Sequence, residues 1–202
     1  MNIFKEIKEI FRGETVDSLC SQLQTMGIDA KLMDRTANKL MKIGGSIGCI
    51  KVDGQNFDAI QVSRNGMGYP TLPYVWFEFH FMIQIDLNMP MFLKAKTKQK
   101  KKGIIYRELV DVQWVGSQLA DNLNHDSELK KILLQMFKEQ KNLKIIINPM
   151  IKNGFVIITK TPIGTRTFSP YPMQITHFDI NLFNSISVHI HDLIKAQSNF
   201  QQ

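Results

Sequence analysis

Two groups of residues have types and spacing that could do chemistry. The first is Glu78, His80, Gln84 and Asp86, which alternate with apolar residues, with Trp76 beside them. In a strand such i, i+2 neighbours share a side and lie about 6.6 Å apart. That is near enough for a carboxylate to tune an imidazole directly or through a water. In a cleft, Glu78, His80 and Asp86 would make an acid/base set. On an open strand they would be the solvated half of an ordinary alternation, and this is the plainer expectation.

The second group is Lys94, Lys96, Lys98, Lys100, Lys101 and Lys102. The chain carries a net charge of +7 from 25 Lys+Arg and 18 Asp+Glu. These six lysines account for nearly all of the excess, so the basic character is local. Such a potential can hold phosphates, an anionic lipid surface or an acidic protein. The run has no arginine, whose fork gives bidentate phosphate recognition, so any such binding is expected to be electrostatic. The structural alternative is a solubilising hairpin whose lysines keep an edge strand from pairing with another chain.

Other chemistry finds no anchor. There is no GxxxxGK[ST] phosphate loop, and Gly44-Gly45-Ser46-Ile47-Gly48 precedes a strand where a dinucleotide fingerprint would follow one. His80, His125, His177, His189 and His191 are scattered. His189 and His191 lie two apart on a helical pattern and so point about 200° apart. There is no HExxH, CxxC or GxSxG. No cofactor and no metal are expected, and the balance leans against an enzyme. Cys20 and Cys49 lack metal spacing and read as small buried hydrophobes in a reducing, cytoplasmic setting. No transmembrane segment is expected: the longest stretch without Asp, Glu, Lys or Arg, Asn65–Phe77, is broken by glycines and prolines. It also falls short of the roughly 18 residues a span needs.

The elements that must position these groups follow from periodicity. Helices are expected over Asn2–Phe11, Val16–Met26 and, as a short piece, Arg35–Lys42. The first has an apolar face with Lys5, Lys8 and Arg12 beside it, and reads as peripheral or packed on the domain. A short strand follows Gly27. Ser46–Val52 and Phe57–Ser63 flank Asp53-Gly54, a hairpin signal because glycine takes positive φ without steric cost. Val75, Phe77, Phe79, Phe81, Ile83, Ile85 and Leu87 then form a period-2 strand with one dry face, and the parity continues to Thr97. Such a ribbon would be about 76 Å long, too long for this chain size, so Pro90 is the expected break. Strands Met91–Thr97 and Ile104–Trp114 should flank the lysine turn.

Helices are expected again at Ser117–Asn124 and Ser127–Gln140, the latter capped by Asp126. Strands Leu143–Ile147 and Phe155–Thr159 join through Asn153-Gly154, Pro162–Pro172 reads as a loop, and Ile175–Ala196 as a helix capped by Thr176. Phe178, Leu182, Phe183, Ile186, Ile190, Leu193 and Ile194 form its apolar stripe, and 197–202 a frayed tail. Hairpin-linked strands between helices predict an α+β fold: a single antiparallel β-sheet with helices packed on one face, in one domain over 1–202.

The expected function is that of a non-enzymatic binding or adaptor domain acting through contacts with a protein partner or a second copy. Binding of nucleic acid or an anionic membrane surface through 94–102 is the alternative. An enzyme using Glu78, His80 and Asp86 comes third.

Overall fold

A computed structural model describes residues 16–33, 45–67, 74–85, 91–103, 108–140, 143–150, 154–166 and 174–199. The expected helices Asn2–Phe11 and Arg35–Lys42, and Asp86, lie outside these residues. Helix α1 covers residues 16–25. Three strands follow: β1 (Asp29–Leu32), β2 (Ser46–Asp53) and β3 (Ala59–Met67). Next come β4 (Tyr74–Gln84), β5 (Ala95–Lys102) and β6 (Glu108–Gly116). Helices α2 (Gln118–His125) and α3 (Ser127–Glu139) precede β7 (Lys144–Met150) and β8 (Phe155–Arg166), and α4 (His177–Asn199) closes the order. The fold is α+β. Among the described residues the eight strands form one antiparallel sheet in the order β1-β2-β3-β4-β8-β7-β5-β6.

The alternation on β4 builds the core. Phe77, Phe79, Phe81 and Ile83 point to the helix-covered face, as do Ile50 and Val52 of β2, Ile145 and Ile147 of β7, and Val156 and Ile158 of β8. All four helices among the described residues bury their stripes there. Phe81 is central: its ring stacks on Phe183 of α4 at 3.7 Å between centroids and meets Phe57 edge-on at 5.1 Å. Gly48 lets α1 sit close to β2, because a Cβ there would fall 2.8 Å from a Val16 methyl.

Several expectations are corrected. Met91–Leu93 is a 3-10 turn and the strand starts only at Ala95, because Ser117 holds the Phe92 and Lys94 carbonyls through its hydroxyl and backbone N–H. Lys100–Lys102 belong to β5 and not to a turn, and Gly103, at φ 109°, follows the strand. In β6, period-2 alternation alone would put Val110 on the buried face of Val112 and Trp114, but it is not there. Pairing steps from Lys100↔Asp111 to Lys101↔Leu109, leaving Val110 as the extra residue of a bulge, 47% exposed. β8 continues through Pro162 to Arg166, where a loop was expected. The proline, which cannot donate to a ladder, falls where the β4–β8 register shifts between Phe77 and Phe79. Phe178 is 41% exposed, because Asp179 turns inward instead. α4 extends to Asn199, into the expected tail.

Candidate functional site

The polar side of β4 is not a solvated face. His80 is 5% exposed and sits in a cross-strand row, Cys49–Gln61–His80–Thr159, spanning β2, β3, β4 and β8. Its Nδ1 lies 2.9 Å from the Thr159 hydroxyl and its Nε2 3.0 Å from the Ser63 hydroxyl. Glu78 stands on the same side. One of its carboxylate oxygens accepts from the Thr161 hydroxyl at 3.0 Å, and the other is 3.8 Å from His80 Nε2. Burial pushes the His80 imidazole below its ordinary pKa, and the Glu78 charge opposes this only in part. His80 is therefore neutral near pH 7, with both nitrogens held by hydroxyls. The carboxylate approaches the same nitrogen as the Ser63 hydroxyl, so the three groups do not line up as nucleophile, base and orienter. Gln61, 0% exposed and in register with His80, has no hydrogen-bond partner among the described residues for either amide atom. Gln84 is exposed on the last residue of the strand.

The thiols behave as the sequence predicts. Both are buried and unbridged. Burial raises the Cys49 pKa to about 11, and burial with the Asp17 charge raises that of Cys20.

The helix-covered face holds a charge pair the sequence reading missed. Lys160 of β8 and Asp179 of α4, each 2% exposed, form an ion pair. Asp179 also takes the Thr176 backbone N–H at 3.0 Å, and the Thr176 hydroxyl returns a contact to the Asp179 N–H at 3.2 Å. This reciprocal cap starts α4 as expected, and the lysine locks it to the sheet. The available signal was Lys160 breaking the apolar parity of Val156 and Ile158.

At the other end of the sheet the six lysines are all exposed, and none pairs with a described carboxylate. Lys94 precedes the strand. Along β5, Ala95, Thr97 and Gln99 turn toward the helix side. Strand alternation therefore puts Lys96, Lys98, Lys100 and Lys102 on the opposite face, in a row about 20 Å long. β5 pairs with β7 only at Ala95 and Lys96. Beyond that Thr97 and Gln99 reach the Ile145 and Leu143 carbonyls through side chains, at 3.3 Å each. The lysine-bearing part of β5 is thus held in its ladder by β6 alone.

β6 is the sheet edge, and it is closed by side chains, not by lysines. The Asn124 amide on α2 accepts from the Trp114 N–H at 2.8 Å and donates to the Trp114 carbonyl at 2.9 Å, imitating a neighbouring strand. Asp111 accepts from the Val112 N–H at 3.0 Å and pairs with Lys130 of α3 at 3.2 Å.

Two histidines of α4 tie it to neighbouring segments. His189 Nε2 meets Asp126 at 2.9 Å, while the other Asp126 oxygen caps α3 through the Glu128 and Leu129 N–H groups. Burial works against the Asp126 carboxylate, but these partners outweigh it and hold its pKa below the ordinary value. His191 contacts the Asn56 carbonyl at 3.1 Å. Among the described residues no group of His, Cys, Asp and Glu could hold a metal ion, and no helix is long and apolar enough to cross a membrane. An open groove of about 640 Å³ lies between α1 and the start of α4, bordered by Ser18, Thr25, Gln174 and His177 among others.

Compared with protein-family models, curated proteins and solved structures, the chain matches none.

Proposed function

We propose that the chain is a non-enzymatic binding module of the adaptor kind, cytoplasmic, which works by macromolecular contact through β5. The observation that carries this reading is the exposure of Lys96, Lys98, Lys100 and Lys102 in one row, unpaired with any described carboxylate. The adaptor reading puts a protein with an acidic face on that row. A second reading, favoured by the regular spacing of the charges, puts a phosphate polymer or an anionic membrane there. Catalysis by Glu78 and His80 has less support, because the imidazole is buried and both its nitrogens are engaged by Ser63 and Thr159.

The test is binding to fluorescent polyglutamate and to heparin at low salt, comparing the native chain with Lys96, Lys98, Lys100 and Lys102 all changed to Gln. Binding to at least one polyanion that the variant loses supports the reading. No binding by the native chain, or equal binding by both, contradicts it.

A further inference from the structure

We propose that the lysine row of β5 lies along the phosphate backbone of a nucleic-acid duplex and binds it without reading its sequence. This rests on the reading of β5 as the contact surface.

Four lysines alternate along one face over about 20 Å. Over that length a duplex presents about a dozen phosphates, one charge per roughly 1.7 Å of axis, so a linear row meets a linear array. The face is accessible from the side the helices leave open: α2 and α3 pack on the opposite side, over Val112 and Trp114. Lys144 of β7 alternates with the core-facing Ile145 and Ile147, so it adds a fifth positive charge on the same face, against which stand Asp111 and Glu108, in register with Lys100 and Lys102. The duplex therefore lies against the β5–β6 end of the sheet, where the lysines are exposed, and not over β3 and β4, where Gln61, Ser63 and His80 of the same face are buried.

The chemistry distinguishes this ligand from its competitors. Single-stranded nucleic acid is gripped by exposed aromatic rings on which bases stack. Among the described residues at this end, Trp114 is buried and Phe92 half-buried against the core. Base reading favours the planar guanidinium fork, whereas lysine is a point charge suited to backbone contact. A lipid surface usually needs apolar anchors beside the charges. Beside Lys96 on this face the apolar Val115 and Ile146 are only half-exposed, while Gln113 across from Lys98 and Asn148 of β7 are polar.

The test is fluorescence anisotropy with labelled duplexes of two unrelated sequences, alongside polyglutamate and phosphatidylserine vesicles. Both duplexes should bind alike, and affinity should fall about 150-fold between 50 and 200 mM salt if four phosphates are neutralised, a log–log slope of about −3.6. Changing Lys96, Lys98, Lys100 and Lys102 to Gln should flatten that slope. Changing Lys31, Lys51, Lys131 and Lys138 to Gln, the same loss of charge elsewhere, should leave it steep. Lysine-dependent binding of polyglutamate or vesicles with no binding of duplex at 50 mM salt overturns the duplex assignment and leaves the contact surface standing. Equal duplex binding by the two variants overturns both.

Discussion

Lysine appears in two very different roles in this sheet. In β8, Lys160 is buried on the helix side, and its charge is met by Asp179, which also starts α4. In β5, four lysines share one face in solvent and make no ion pair among the described residues, although Asp111 and Glu108 stand opposite Lys100 and Lys102 in the ladder. A buried charge is tolerated only when paired, so Lys160 is committed to folding. An exposed lysine row loses little when removed and carries its potential outward. The β4 histidine sits with Lys160: it is buried, satisfied and structural. The contrast separates polar groups that hold the sheet together from polar groups left for something else.

The sharpest way to break the comparison is Lys160→Met. It strands the Asp179 carboxylate and should cost about 3–5 kcal/mol in urea unfolding, whereas Lys160→Met with Asp179→Leu should recover part of the loss. A cost below about 1 kcal/mol would put Lys160 with the surface lysines. His80→Leu should cost about 1–3 kcal/mol by orphaning the Ser63 and Thr159 hydroxyls. It also changes the pH profile. Because the folded pKa of His80 is lowered, the unfolded chain takes up the proton first as pH falls. Native stability from this group is complete above about pH 6.5 and declines below it, by at most about 1.4 kcal/mol per unit, until the folded imidazole itself titrates. The variant should lose that part of the decline, which denaturation at pH 7.5 and 5.5 would reveal.

Asn124→Ala should cost about 1–2 kcal/mol and bare the Trp114 backbone at the sheet edge. Concentration-dependent association in sedimentation velocity is the expected result, and unchanged sedimentation would mean that Asn124 does not guard the edge. The smallest expected effect on stability comes from Lys96, Lys98, Lys100 and Lys102 changed together to Gln. Each lies within about 0.5 kcal/mol of neutral, so the melting temperature should hardly move.

The sequence made the strands legible wherever one face was dry. The Phe77–Ile83 alternation, the Asp126 cap, the Thr176 cap and the α3 stripe all appear as periodicity and capping chemistry predict. What it hid were long-range pairings. Nothing local says that Asp179 faces Lys160, so Phe178 was placed inward in its stead. Pro162 looked like a strand breaker because the register shift opposite it is a property of β4. His80 looked solvated because alternation tells which side a residue takes, not whether that side is covered. At the candidate site the lysines were visible from composition. Their alignment in β5 up to Lys102, and the edge closure by Asn124, depended on partners contributed by β6, β7 and α2.

The most direct test of the central claim compares two charge-matched variants for both stability and binding. One changes Lys96, Lys98, Lys100 and Lys102 to Gln, the other Lys31, Lys51, Lys131 and Lys138. Both should melt close to the native chain, and only the β5 variant should lose polyanion binding at 50 mM salt. If the two lose binding equally, the +7 acts as overall charge, and β5 is not the contact surface.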